Sequence, residues 1–230
     1  MSLYAIGDLH FSLNNPKPMD IFGEGWKNHT EKIVKNWENT VKEGDTVLLA
    51  GDISWGIDIE DSAKDMELIS SLPGRKIIVS GNHDYWFASV SKLKKAFPGI
   101  MFLKNNHYSY EDYAICGSRG WICPGHDGFS KDDDKIYKRE QIRLGLSINN
   151  ALNAGFKKII VLLHFPPTND KKEASGFISV IEKTGVVEKV VYGHLHGEHA
   201  FGAGLKGRHY GADFYLVSAD YIDFSLFKLL

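Results

Sequence analysis

Cysteine is scarce: Cys116 and Cys123 are the only two in 230 residues, too few for a disulfide framework and not set in the close pairs that zinc ribbons use. They read as ordinary thiols of a reducing compartment. Long apolar runs are missing as well, since nothing approaches the roughly 20 residues needed to span a bilayer. The N-terminus enters a strand-like run without the basic region and apolar core of a signal peptide. A cytoplasmic protein with no membrane partner is therefore expected. Nor is there an excess of charge of one sign. A formal net charge of −2 and a pI near 6.5 give no global reason to expect nucleic acid as a partner. Repeats, low-complexity tracts and linkers are absent too. With 43% hydrophobic residues, one sizeable core is expected and residues 1–230 are predicted to form a single domain.

What the chain does have is a set of five apolar runs, each ending on a carboxylate, carboxamide or imidazole. The run at 4–7 leads into Asp8-Leu9-His10, and that at 47–50 into Gly51-Asp52. Residues 76–80 lead into Gly81-Asn82-His83-Asp84, 159–163 into His164, and 190–192 into Gly193-His194-Leu195-His196. Open α/β sheets place their chemistry at such strand exits. Five of the ten histidines fall in these turns, and a buried cluster of imidazoles and carboxylates is costly to desolvate without a counter-charge. His29, His107, His126, His199 and His209 lie outside them and are read as surface or loop residues.

Between these turns the pattern predicts helices. Thr30 is placed as the cap of one carrying Ile33, Val34, Trp37 and Val41 and ending at Gly44. Asp58 is placed as the cap of a second, stopped by Pro73-Gly74. A third is predicted directly after the tetrapeptide, running to about Phe97, and residues 136–154 form a fourth, although Ile142, Leu144, Leu146 and Ile148 also alternate like a strand. A short fifth is predicted near 175–183. Strand-like runs at 100–103, 107–110, 113–117, 214–218 and 224–229 complete the reading. Alternating strands and helices predict an α/β fold with parallel strands covered on both faces. Long loops at 11–26, 118–134 and 197–213 are expected to frame a ligand.

In order, Asp-x-His, Gly-Asp, Gly-Asn-His-Asp, a lone His and Gly-His-x-His resemble the signature of the calcineurin-like metallophosphoesterases, and they stretch from Asp8 to His196. The resemblance implies a sandwich of mixed β-sheets flanked by helices, with the site at the carboxyl edge of the strands. It also implies a dinuclear-metal hydrolase of phosphate mono- or diesters. A phosphoester repels nucleophiles by its charge, and two divalent ions help by activating water, to give an attacking hydroxide, and by clamping the attacking and leaving oxygens. By this resemblance Asp8, His10, Asp52 and His196 bind one ion, and Asp52, Asn82, His164 and His194 the other, with Asp52 as the bridge. The mixed O and N set suits Mn, Fe or Zn. In an extended segment residues two apart point the same way, so Asp8 with His10, and His194 with His196, are expected to project as pairs. His83 is implied as general acid, with Asp84 orienting its ring. Arg119 is a candidate substrate phosphate contact.

Other readings compete. Ser89-x-x-Lys92, Ser147-x-Asn149 and Lys183-Thr184-Gly185 imitate the signature of penicillin-recognising enzymes, but Ser89 is predicted inside a helix and Lys183-Thr184-Gly185 at a helix end, whereas that chemistry needs it on a strand. A non-catalytic scaffold on the same fold would be expected to lack part of the ligand set. A nuclease would draw on the short basic groups at 92–95, 157–158 and 171–172, which read more simply as solvated helix and loop ends. Gly-Asp followed by Ile53-Ser54, and Gly-Asn-His-Asp in place of Gly-Asn-His-Glu, argue against a phosphoprotein phosphatase. A small phosphoester substrate is the expected partner.

Overall fold

The computed structural model describes residues 1–230. Eleven strands and six α-helices follow one another as β1 (Leu3–Ile6), α1 (His29–Thr40), β2 (Thr46–Leu49), α2 (Ala63–Ser71), β3 (Arg75–Ile78), α3 (Val90–Ala96), β4 (Met101–Phe102), β5 (His107–Tyr110), β6 (Tyr113–Gly117), α4 (Lys131–Asn153), β7 (Lys158–Leu162), α5 (Gly176–Thr184), β8 (Val187–Tyr192), α6 (Glu198–Phe201), β9 (Gly207–His209), β10 (Ala212–Leu216) and β11 (Phe227–Lys228). No helix is long and apolar enough to cross a membrane.

The strands form two sheets, ordered β11-β1-β2-β3-β4 and β5-β6-β7-β8-β10-β9. β1 to β4 are mutually parallel, with β11 antiparallel at the edge. In the second sheet β6, β7, β8 and β10 are parallel, and β5 and β9 are antiparallel edges. Both sheets are thus mixed.

The period of two in a strand explains why the apolar runs are continuous. Leu3, Ala5, Leu48 and Ile77 point between the sheets, where they meet Ile115, Ile160, Leu162 and Val191 of the second sheet. Tyr4, Ile6, Val47, Leu49 and Ile78 point outward under Ile33 and Trp37 of α1 and Met66 and Ile69 of α2. Ile159, Val161, Val190 and Tyr192 do the same beneath Leu144 and Ile148 of α4 and Phe177 and Ile178 of α5. The result is four layers, helix, sheet, sheet, helix. The sandwich of mixed sheets flanked by helices that the resemblance implies is what forms, and each sheet is covered on both faces, by helices on one and by its partner sheet on the other. An apolar strand face does not reveal which element covers it.

Several boundaries differ from expectation. α1 starts at His29 after Asn28 in a left-handed conformation (φ 54°), so Thr30 lies in its first turn and caps nothing. Asp58 accepts from the Asp61 N–H at 2.9 Å and closes a turn ahead of α2. α3 begins only at Val90, leaving 82–89 irregular and Ser89 at the helix cap position instead of inside the helix. The resemblance to penicillin-recognising enzymes still fails. Lys183-Thr184-Gly185 ends α5, and buried Ser147 spends its hydroxyl on the Gly117 N–H and the Asn106 carbonyl. The stretch at 136–154 is helical and begins earlier, at Lys131, with Ile142 and Leu146 exposed. The strand predicted at 224–229 shrinks to Phe227–Lys228, with Phe224 in a turn at φ 54°.

Candidate metal centre

All five parallel-strand exits that carry ligand-type residues open on one edge of the sandwich, Asp8 beyond β1, Asp52 beyond β2, Asn82 beyond β3, His164 beyond β7 and His194 beyond β8. The chain does not stay extended there. Asp8 (φ 60°), His10 (φ 48°), Asp52 (φ 51°) and His194 (φ 71°) are all left-handed, so the projection of these pairs comes from tight turns and not from strand alternation. A left-handed residue other than glycine costs roughly 1 to 2 kcal/mol, though Asp and His tolerate it better than branched residues. Tertiary hydrogen bonds hold the turns. The His194 N–H donates to Asp8 Oδ2 at 2.9 Å, the His83 N–H to Asp52 Oδ1 at 2.8 Å, and the His10 N–H to the Asp52 carbonyl at 3.0 Å.

Seven side chains meet. His196 Nε2 lies 3.3 Å from Asp8 Oδ1, and His164 Nδ1 lies 3.8 Å from the same oxygen. Asp52 Oδ2 faces His164 Nε2 at 3.4 Å and His10 Nε2 at 3.9 Å. Asn82 Oδ1 is 2.8 Å from His164 Nε2, and His194 Nδ1 is 3.3 Å from it. Asp8, His10 and His196 form one group able to hold a cation, and Asp8, Asp52 and His164 another. Asp8, Asp52 and His164 are buried, yet His10 Nδ1 and His196 Nε2 are buried with no hydrogen-bond partner. Orphaned imidazole nitrogens facing buried carboxylates fit divalent cations, whose charge would offset the desolvation of the oxygens.

Electrostatics divide the imidazoles. Burial pushes His10 down to about 4, and burial reinforced by His164 pushes His194 down to about 3. For His164 burial also acts downward, but Asp52 and Asp8 outweigh it and lift the ring to about 9. His196 is likewise lifted to about 10 by Asp8 and Asp220 against burial. Burial opposes the charge of Asp8 and Asp52 too, and their histidine partners hold both below the usual carboxylate range.

His83 leans over the pocket with its ring centroid 4.4 Å from that of Trp55. Asp84 does not orient that ring. Its carboxylate accepts from the N–H groups of Gly81 (2.7 Å), Ile53 (2.8 Å) and Ser54 (3.2 Å) and from Trp86 Nε1 (3.0 Å). Asp84 therefore braces the turn after β3 against the turn after β2. Burial, then the charge of Asp52, raises it to about 6. Arg119 is placed away from the metal pocket as well, lining a neighbouring cleft with its guanidinium 4.4 Å from the Trp121 ring and 3.9 Å from Glu140.

Some supporting residues carried no sequence signal. Asp220 Oδ1 lies 3.1 Å from His196 Nδ1, and its other oxygen accepts from the Gly197 N–H. Such a carboxylate behind a ligating imidazole fixes its tautomer. The Ala50 carbonyl does the same for His164 Nδ1 at 2.9 Å. His29, expected at the surface or in a loop, is buried and bonds the His10 carbonyl through Nε2 at 3.2 Å. Met19, Phe22, Trp26 and Trp55 line the pocket beside the histidines, with Trp55 stacked on His10 at 4.9 Å.

A family model described as calcineurin-like phosphoesterase matches residues 1–198. The uncharacterized protein MJ1445 of Methanocaldococcus jannaschii is 25% identical over 167 residues, covering 70% of this chain and 90% of that one. The Gene 66 protein of Mycobacterium phage L5 is 32% identical over 77 residues, 34% of this chain and 37% of its own length. Among solved structures, the protein of unknown function AQ665 from Aquifex aeolicus aligns with a TM-score of 0.53 at 19% identity, over 99% of this chain and 95% of that one. TT1561 of Thermus thermophilus aligns with a TM-score of 0.55 at 12% identity, over 84% of this chain and 81% of that one. At these identities the structural likeness shows the fold alone.

Proposed function

The chain belongs to the calcineurin-like phosphoesterase family, which implies metal-dependent phosphoester hydrolysis, and from that premise we propose a dinuclear hydrolase of small phosphate mono- or diesters, with residues 1–230 as one such domain. The observation that carries the reading is the position of Asp52, whose Oδ2 faces His164 on one side and His10 on the other. That position supports Asp52 as the carboxylate that would be shared between two cations. Asp8, His10 and His196 would complete one site, and Asn82, His164 and His194 the other. When bound, the pair of ions supplies Lewis-acid charge on the phosphoryl oxygens and makes water acidic enough to act as a nucleophile.

The chain's own residues do the rest. Asp220 and the Ala50 carbonyl hold the His196 and His164 rings in place, and Asp84 braces the turn that carries Asn82 and His83. His83 is only half-buried and lines the open pocket, so in its protonated form it can pass a proton from a ring N–H to the leaving oxygen as the P–O bond breaks and be left as neutral imidazole. Burial lowers its pKa, with the charge of Asp52 opposing. The organic part of the substrate would rest on Trp26, Trp55 and Phe22, whose apolar faces favour an aromatic or aliphatic leaving group. The scaffold alternative is disfavoured because no ligand position is lost.

The test is a panel of p-nitrophenyl phosphate and bis(p-nitrophenyl) phosphate assayed with Mn²⁺, Fe²⁺ or Zn²⁺ against chelator. Turnover that chelator abolishes is expected. On an alkyl ester such as ribose 5-phosphate, whose leaving alkoxide needs a proton as p-nitrophenolate does not, His83→Ala should keep both metals and lose about 10²- to 10⁴-fold in kcat, the usual contribution of a positioned acid. Absence of turnover with every metal, or wild-type rates in His83→Ala, would overturn the reading.

A further inference from the structure

One slot along the same sheet edge lies a second cleft, walled by the exits of β3 (Ser80, Gly81), β4 (Lys104, Asn105) and β6 (Ser118, Arg119) and by Arg139, Glu140 and Arg143 of α4. It encloses about 550 Å³ including its open mouth and is walled in part by Gly81 and Asp84, of the turn that carries Asn82 and His83, but by none of the metal-ligand candidates. Four cations face it. One carboxylate opposes them directly: Glu140, 1% exposed, has its Oε1 at 2.7 Å from Arg143, 3.5 Å from Arg139 and 3.9 Å from Arg119. The other acid at the wall, Asp84, already has its oxygens filled by three backbone N–H groups and an indole. The cleft therefore keeps a net positive charge.

Its cations are also held ready. Arg119 lies against the Trp121 face, and its Nε is buried without a partner. Lys104 Nζ has a single hydrogen bond, to the Ala88 carbonyl at 3.1 Å. Burial pushes the Lys104 ammonium below its ordinary value and Arg143 adds to the effect; burial does the same to Arg119. An anion would relieve both. Guanidinium forks beside an ammonium match the tetrahedral oxygens of a phosphoryl group.

We propose that this cleft binds a phosphoryl group, separately from the phosphoester at the metal centre. Two sources share that chemistry, a second phosphoryl group on the substrate itself, straddling the Gly81 to Asp84 turn, or a separate phosphate-bearing ligand.

The first test needs no turnover and so stands or falls independently of the hydrolase reading. Metal-free protein in chelator is titrated with inorganic phosphate and with pyrophosphate by calorimetry. Lys104→Gln should weaken binding at least fivefold, and Glu140→Gln, which removes the one opposing carboxylate, should tighten it. A merely structural network would move both variants the same way. No binding, equal affinity in all three proteins, or weakening in both variants would overturn the proposal. The source is then assigned on metal-loaded protein with ribose 5-phosphate and fructose 1,6-bisphosphate. The ratio of the bisphosphate KM to the monophosphate KM rises in Lys104→Gln if the second phosphoryl belongs to the substrate, and holds if the ligand is separate.

Discussion

Gly81 has no room for a side chain, because a Cβ there would run into the carboxylate and the backbone nitrogen of Asp52. That contact is what allows the turns after β2 and β3 to share one site. Gly81→Ala should therefore displace Asp52, cutting metal content measured by elemental analysis and costing about 1 to 3 kcal/mol, the usual penalty for overpacking. Asp52→Asn asks a different question, since it keeps the volume and removes the charge. Loss of both ions is expected, and loss of only one would contradict the bridge. Away from the site, burial raises the thiols of Cys116 and Cys123 to about 12, against about 8.5 for a free thiol. An unfolded chain ionises first, so this contribution to stability is complete below about pH 8.5 and is lost as pH rises toward 12. At pH 8 an aromatic disulfide reagent should label neither thiol until denaturant is added; prompt labelling of native protein would contradict their burial. At this scale, the ligand-type residues were readable because their chemistry is written in short motifs. Asp220, His29 and the aim of Asp84 were not, because where a carboxylate or imidazole points depends on backbone groups far away in sequence.

α4 shows how far an element can be read. Ser130 and Asp133 close both halves of its N-terminal cap: the Ser130 hydroxyl accepts from the Asp133 N–H, and the Asp133 carboxylate accepts from the Ser130 N–H at 2.9 Å. Asp133 also takes the Trp121 indole N–H at 2.9 Å, tying the helix to the strand exit that holds Arg119. Ser130→Ala should cost about 1 kcal/mol in urea unfolding, and Asp133→Ala more, because it releases Trp121 as well. If the two are equal, the Trp121 bond contributes nothing. The existence of α1 to α5 was legible from periodicity, whereas the helix starts were not, nor was the four-residue α6 inside the loop expected at 197–213. α3 begins late because 82–89 is spent in turns, with Tyr85 bonding back to His83 and Phe87 to Asp84, and that detour is what lets Asn82 and His83 reach the pocket.

At the scale of the whole molecule, two sheets whose parallel strands end on a common edge gather ligand-type residues from positions 8 to 196 in one place. Order along the chain was legible from the residues themselves; the pairing of two sheets was legible only through the family resemblance, since strands apolar on both faces are equally consistent with helix or sheet above them. The arrangement concentrates left-handed turns and orphaned imidazole nitrogens at that edge, both of which weigh against the metal-free fold. Cations that bind only the folded chain should offset this. At a free Mn²⁺ concentration 100 times Kd, linkage adds about 2.7 kcal/mol for each bound ion, which for a chain of 230 residues corresponds to a rise in Tm of roughly 5 to 10 °C per ion. Differential scanning calorimetry should show that rise, chelator should reverse it, and Asp52→Asn should lack it. A melting temperature indifferent to Mn²⁺, Fe²⁺ and Zn²⁺ alike would mean that the convergence of these side chains serves packing and not chelation.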